Sequence, residues 1–262
     1  MADPSRFEGK VAIVTGSTQG VGEATARLLV ERGAAAVVVT GRDAGRGEVV
    51  VSALRGMGAK AIFVPADLAH TGAPEEICAQ ADAAFGRVDV VVNSAALTDR
   101  DTLWETTPEF FDRMFAVNVR APFFLIQGAA RIMRRNNLGG SIVTVGSISS
   151  HGGQPHLSSY VASKGALWAM TRNLAHALLP YRIRVNLINA GWMDTPGEDR
   201  IQRRWHGASD GWQERAGTER PSGRLIRPQE LARAIAFLAS DESGLMTGSV
   251  VDYDQRVVGA YD

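Results

Sequence analysis

Val11-Ala-Ile-Val-Thr15-Gly-Ser-Thr-Gln-Gly20-Val-Gly22 is the stretch that decides the fold. Its first five residues are apolar or β-branched throughout, which suits a strand covered on both faces rather than one alternating between core and water. Glycines follow at positions 16, 20 and 22, and a helical pattern runs over 20–32. A strand, a glycine turn and a helix, in that order, bring free backbone N–H groups and a positive dipole end to one spot, where a phosphate can approach closely. The spacing is G-x-x-x-G-x-G rather than G-x-G-x-x-G, and by itself would also suit a plain tight turn. Its place between the first strand and the first helix is where a dinucleotide site belongs.

The same rhythm repeats outward from this stretch. Further strands are expected at Ala36–Thr40, Ala61–Pro65, Val88–Asn93, Ser141–Val145, Arg184–Ile188 and Ser249–Asp252. Helices are expected near 44–57, 73–85, 107–135, 158–179 and 228–239, with Thr107-Pro108 opening one and Gly33 closing the first. Repeated βα units imply right-handed crossovers and one doubly wound parallel sheet. The expected fold class is therefore α/β: a Rossmann-like sheet of about seven strands with helices on both faces. No linker or longer repeat divides the chain, so one domain is expected over 1–262. Asp194–Arg227 shows no clear element, and a connection of that length is expected to be a substrate lid, 194–227.

Composition narrows the partners. The chain has 28 basic and 28 acidic side chains, so no net charge favours nucleic acid or an anionic membrane. A single cysteine, Cys78, excludes an internal disulfide and a cysteine-rich metal site, and its apolar setting fits a buried inert thiol. No metal site is expected. The opening MADPSRFEGK has no apolar core of a secretory signal, and no window is apolar for long enough to span a membrane, so a cytoplasmic location is expected. Of the 28 basic residues only Lys10, Lys60 and Lys164 are lysines, which makes the placement of Lys164 worth following.

Tyr160 and Lys164 lie four apart in a helical stretch and so share a face, while Ser147 ends the fifth strand, at the edge where open α/β sheets bind ligands. A free tyrosine, with a pKa of about 10, is a poor base at neutral pH. A neighbouring ammonium favours the phenolate, which would make Tyr160 a usable acid and base, and a serine hydroxyl could hold the substrate oxygen. A bare Y-x-x-x-K would more simply be two surface residues of an amphipathic helix.

The combination is far more specific. With Thr15–Gly22, Asp67 after strand three, Asn93-Ser94-Ala95-Ala96 after strand four, Asn118 in a long helix, and Ser147, Tyr160 and Lys164, the chain resembles the short-chain dehydrogenase/reductase family along essentially its whole length. The resemblance implies an oxidoreductase interconverting a secondary alcohol and a carbonyl with a nicotinamide cofactor. It implies a catalytic tetrad of Asn118, Ser147, Tyr160 and Lys164, in which Tyr160 moves a proton, Lys164 bonds the nicotinamide ribose, Ser147 orients the substrate and Asn118 holds a water. It also implies that Asp67 and Leu68 lie by the adenine, that Asn93 and Ala95 pin the glycine turn, and that a homotetramer forms. Gly16, Ser17, Gln19, Gly20, Val21, Gly22 and Gly191 complete the expected cofactor contacts, together with Tyr160 and Lys164. Three departures stand out: Ser94-Ala95-Ala96 for the family's Asn-Ala-Gly, Ala190-Gly191 for Pro-Gly, and Tyr253-Asp254 for a glycine pair.

The end of strand two selects the cofactor. It reads Thr40-Gly41-Arg42-Asp43, with glycine where NAD-preferring relatives place an acid and Arg42 next. That favours NADP(H) over NAD(H); the counter-reading has Asp43 reaching the ribose hydroxyl. On the substrate side His151, Gln154, His156 and Trp192 are expected in the pocket. Arg200, Arg203 and Arg204 either clamp an anion or pair with nearby acids, and Trp205 and Trp212 either cover a ring or pack the lid. A small polar hydroxy or keto compound, such as a sugar or polyol derivative, is the expected substrate. The alternative is a non-catalytic nucleotide-sensing or scaffold protein on the same fold, which would have no need of Tyr160 and Lys164.

Overall fold

The computed structural model describes Asp3 and residues 5–258. Seven strands form one sheet: β1 Val11–Thr15, β2 Ala36–Gly41, β3 Lys60–Pro65, β4 Val90–Asn93, β5 Gly140–Ser147, β6 Ile183–Ala190 and β7 Val250–Tyr253. Their order is β3-β2-β1-β4-β5-β6-β7, and every pairing is parallel. The chain therefore reverses its direction of winding between β1 and β4, and the carboxyl ends of all seven strands face one edge. That reversal opens the crevice where such sheets take a ligand.

Helices α1 Gly20–Glu31, α2 Ala44–Gly56, α3 Ala73–Phe85, α4 Pro108–Phe115, α5 Ala121–Asn136, α6 Ser158–Leu178 and α9 Pro228–Ala239 supply the crossovers, with α7 Pro196–His206 and α8 Trp212–Thr218 between β6 and α9. Two apolar cores result, one on each face. The first joins Leu29, Val37, Val39, Val50, Leu231 and Ile235; the second joins Ile13, Val38, Ile77, Leu125, Ile142 and Val185. Alternate residues of β2 thus point to opposite cores, which is why its run of valines has no polar face.

Several boundaries depart from the sequence reading for local reasons. β4 begins at Val90, because the Asp89 carboxylate takes the Val11 N–H at 2.9 Å and is held by Arg87 at 2.6 Å. The helix expected over 107–135 is broken: a π-turn over Ala116–Arg120 separates α4 from α5. The connection 194–227 contains α7 and α8 rather than irregular chain. Cys78 is buried, and burial pushes its thiol up to about 12, consistent with an inert group. Among the described residues no helix is long and apolar enough to cross a membrane.

Candidate active site

A groove of about 750 Å³ runs along the carboxyl edge, a size that suits a small-molecule ligand. Its floor is built from the loop after each strand: Gly16–Gly22 without Ser17, Thr40–Arg42, Ala66–Leu68, Ser94–Thr98, Val145–Ser149 and Ala190–Met193. Tyr160 and Lys164 of α6 line one wall, and Thr195, Gly197, Glu198, Gln202 and His206 bring α7 across the opening.

The glycine turn has the geometry of an anion cradle. Gly16 and Gly20 have φ of +65° and +60°, and Gln19 precedes α1 without a side-chain cap, so the first N–H groups of the helix are free of one. A Cβ on Gly16 would lie 2.9 Å from the Ala95 Cα, and one on Gly22 only 2.4 Å from the Gly16 carbonyl oxygen, whereas one on Gly20 would make only an ordinary contact with Thr195 at 3.7 Å. Gly16→Ala is therefore expected to cost about 1–3 kcal/mol through strain and overpacking against backbone, read as a lower melting temperature with weakened cofactor binding.

Two expected cofactor residues lie elsewhere. Ser17 is sealed in the core: its hydroxyl donates to the Val14 carbonyl at 2.6 Å and accepts from the Thr40 N–H at 3.0 Å, tying β1 to β2. Thr18, its neighbour, lines the groove instead. Asn93 likewise points inward, donating to Thr144 at 3.3 Å and leaving its Oδ1 without a protein partner. The turn is pinned by Thr15, whose hydroxyl accepts from both Ser94 and Ala95 N–H groups at 3.1 Å.

Ser147, Tyr160 and Lys164 do converge. Ser147 accepts from the Ser149 N–H at 3.1 Å, and its hydroxyl stands near enough to the Tyr160 phenol to lower the phenol's pKa. Lys164 is almost fully buried; its ammonium donates to the Val145 carbonyl at 2.8 Å and lies 5.7 Å from the centre of the Tyr160 ring. With three donors and one partner, it has N–H groups to offer a ligand. The electrostatics differ from the expectation. Burial pushes the phenol up to about 12 against the lowering effect of Ser147, and burial pushes Lys164 down to about 8. Lys164 is not among the groups that move the phenol in this structure. Asn118 stands apart from the groove: its amide accepts from the Leu97 N–H at 2.8 Å and donates to the Leu97 carbonyl and Ser163, each at 3.0 Å. It clamps the loop after β4 to the π-turn.

At the end of β2, a Cβ on Gly41 would meet Thr18 Cγ2 at 2.7 Å, so an acid there would force the Thr18 side chain of the glycine turn to move. Asp43 is spent on capping α2, accepting the Arg46 N–H at 2.9 Å and pairing with the Arg46 side chain at 3.0 Å, and it does not line the groove. Arg42 and Arg46 do line it, and Arg46 reaches Gln19 at 2.7 Å. Arg46 was legible only as one helical turn beyond Arg42.

On the substrate side Gln154, His156 and Trp192 line the groove as expected, but His151 does not. Its ring turns to the far end of the sheet, 2.9 Å from Asp252 of β7 and edge-on to Trp168 at 4.7 Å. The lid alternatives also resolve. Arg203 pairs with Asp199 and Asp210, and Arg204 lies 3.7 Å from Asp99, while Arg200 lines the groove. Trp212 is buried, donates to Asp199 at 2.8 Å and packs 6.0 Å from Trp192, so it fastens α8 to α7 and to the groove wall; Trp205 donates to Asp99 and stays half-exposed.

This arrangement has close counterparts. A family model described as enoyl-(acyl carrier protein) reductase matches residues 16–255. The chain is 37% identical to an NADP-dependent (R)-specific alcohol dehydrogenase of Lentilactobacillus kefiri, over 94% of this chain and 96% of that one. It is 32% identical to a 3-oxoacyl-[acyl-carrier-protein] reductase of Thermotoga maritima, over 97% and 99% of the two chains. The chain belongs to the short-chain dehydrogenase/reductase family. A solved L-sorbose reductase of Gluconobacter frateurii, complexed with NADPH and L-sorbose, superposes with a TM-score of 0.90 at 27% identity, covering 99% of this chain and all of that one. The family's members are NAD(P)-dependent oxidoreductases, and this chain is an enzyme of that kind.

One contact joins a retained glycine to a departure from the family pattern. A Cβ on Gly191 would lie 2.0 Å from the Asp254 Oδ1, so the carboxylate that replaces a glycine near β7 occupies the space which Gly191 leaves over the groove. Asp254 and Gly191 are a matched pair.

Proposed function

We propose that the enzyme reduces a carbonyl to a secondary alcohol, and runs the reverse reaction, with Tyr160 as general acid and base. The observation that carries this reading is the convergence of Ser147, Tyr160 and a buried Lys164 at the inner end of a dinucleotide-sized groove. The residues fit the cofactor: a glycine cradle for the phosphates, Asp67 and Leu68 beside the adenine position, and Lys164 donors toward the ribose. When bound, the nicotinamide supplies or accepts hydride. Tyr160 gives its proton to the substrate oxygen, Ser147 donates a hydrogen bond to the same atom, and Lys164 sustains positive charge beside them. A phenol held up at about 12 stays protonated at neutral pH, the state that reduction needs. Asn118 is a positioning residue, acting through Leu97. α7 and α8 form the substrate lid within the 194–227 segment of a single domain.

We also propose NADP(H) as the preferred cofactor. Arg42 and Arg46 at the groove, with Asp43 committed to a helix cap, support this, as do the relatives named for NADP and NADPH. Arg42→Ala with Arg46→Ala is expected to weaken NADPH at least tenfold in a fluorescence titration, from two charge-assisted bonds of about 1.5–3 kcal/mol each, while NADH moves less than threefold. An equal loss for both cofactors would place the 2′-phosphate elsewhere.

The substrate we propose is a small polar hydroxy or keto compound of the sugar or polyol kind, since Gln154, His156, Arg100 and Glu198 line its side of the groove. The exposed aromatic face of Phe111, Phe123 and Phe124 supports self-association, consistent with a homotetramer, which sedimentation would test. Turnover of a carbonyl panel with NADPH, lost in Tyr160→Phe, tests the central assignment.

A further inference from the structure

Two oppositely charged side chains meet on the substrate side of the groove, one from each jaw. Arg100 stands on the loop after β4 and Glu198 in the first turn of the lid helix α7. Their closest atoms, Arg100 Nη2 and Glu198 Oε1, are 3.7 Å apart, and both side chains are mostly buried. Both line the groove together with Ser147 and Tyr160. Both are near enough to the phenol to act on its proton, Glu198 raising and Arg100 lowering its pKa.

What each pair member leaves unused is the informative part. Glu198 Oε1 accepts from Trp192 Nε1 at 2.9 Å and Gln202 Nε2 at 2.8 Å. Its other oxygen, Oε2, has no hydrogen-bond partner among the described residues, and it is not sealed from the groove. Arg100 is fixed in the same way. Its Nη1 donates to the Thr98 carbonyl at 2.8 Å and its Nε to His206 Nε2 at 3.2 Å, which requires a neutral His206 with its proton on Nδ1. Burial, Arg100 and His156 hold His206 below the usual histidine range, in agreement with that bond. Arg100 Nη2 makes no hydrogen bond. A rigid acceptor and a rigid donor therefore stand side by side, each with capacity to spare.

We propose that Arg100 and Glu198 form a hydroxyl clamp, so that the substrate is a ketone or alcohol bearing a second hydroxyl group near the reacting carbon. A hydroxyl both donates and accepts, so one group satisfies Oε2 and Nη2 together. A carboxylate or phosphate can only accept and would face the Glu198 charge. An alkyl chain would leave both polar atoms dehydrated and unpaired, a cost of a few kcal/mol that produces large discrimination in sites built this way. The clamp rests on the oxidoreductase reading above and specifies its substrate class.

The test uses the native full-length enzyme with NADPH and three four-carbon ketones: erythrulose, 2-butanone and 2-oxobutanoate. The native enzyme is expected to favour erythrulose over 2-butanone at least a hundredfold in kcat/KM, and over 2-oxobutanoate by a similar factor. Glu198→Gln keeps an acceptor for Trp192 and Gln202 but can present an amide in place of Oε2. It is expected to lower the erythrulose to 2-butanone ratio at least tenfold and to raise relative turnover of 2-oxobutanoate. A native ratio near one, a preference for 2-oxobutanoate, or an unchanged ratio in Glu198→Gln overturns the clamp while leaving the reductase assignment in place. Bound NADPH with no turnover of any ketone by the native enzyme, in either direction, overturns the reductase reading and the clamp with it. Should Glu198→Gln melt at a much lower temperature, the native ratios decide alone.

Discussion

Tyr160→Phe is expected to lower kcat/KM for carbonyl reduction by about a thousandfold, within the range that a positioned acid contributes. NADPH affinity is expected to stay within threefold, because the deleted hydroxyl faces the substrate and Ser147 rather than the phosphate cradle. Steady-state rates on the ketone panel, paired with a fluorescence titration, separate the two effects. The pH profile adds a signature. With the phenol held up at about 12 by burial, reduction should lose no proton donor between pH 6 and 9, whereas oxidation should climb with pH across the same range. A variant that keeps turning over at the native rate would show that the proton comes from a group other than Tyr160.

The second large effect concerns stability. Lys164→Met is expected to abolish turnover and yet raise the melting temperature of the cofactor-free protein at pH 7. Lys164 falls from the ordinary lysine value of 10.5 to about 8 because its charge is buried. The sign follows from proton counts. Between about pH 8 and 10.5 the unfolded chain holds a proton there that the folded chain has released, so stability rises with pH across that window. Below it both states are charged and the full penalty of burying the ammonium remains. That penalty is about 3 kcal/mol, and losing the charge-assisted bond to Val145 returns ~2 kcal/mol of it. The net gain of about 1 kcal/mol corresponds to roughly 2–3 °C in a chain of this size. The gain should be largest below pH 8 and fade by pH 10.5 in calorimetry. A melting temperature that falls at pH 7 would show that Lys164 is a structural lysine.

Much of this was legible in the sequence, and unevenly so. Apolar runs and glycine turns located all seven strands, because strands covered on both faces leave no polar pattern to misread. Polar residues at strand ends misled. Ser17 and Asn93 look like ligand contacts, yet each is committed to an internal bond, and nothing in a one-dimensional pattern distinguishes a hydroxyl turned inward from one turned out. His151 failed for a related reason: its place after β5 was right, but its ring found Asp252, a hundred residues away. The lid helix α7 was missed because Ile201 is its only buried residue, so it carries no apolar stripe. Its start signal was nevertheless present, since Thr195 caps Glu198 at 3.0 Å with Pro196 between them. Arg100 and Glu198 could not be paired from sequence at all, lying on separate jaws almost a hundred residues apart.

The parallel sheet puts every loop of the groove at one edge, from Gly16 after β1 to Arg256 after β7. β1 sits inside that sheet between β2 and β4, with its phosphate cradle framed by strands that are synthesised later. A nascent chain can thus make β1 early, but the groove is complete only once β7 has docked on β6 and brought Asp254 and Arg256 to its edge. Because every strand end contributes to the one groove, a ligand bound there should protect loops from β1 to β7 against proteolysis together rather than strand by strand.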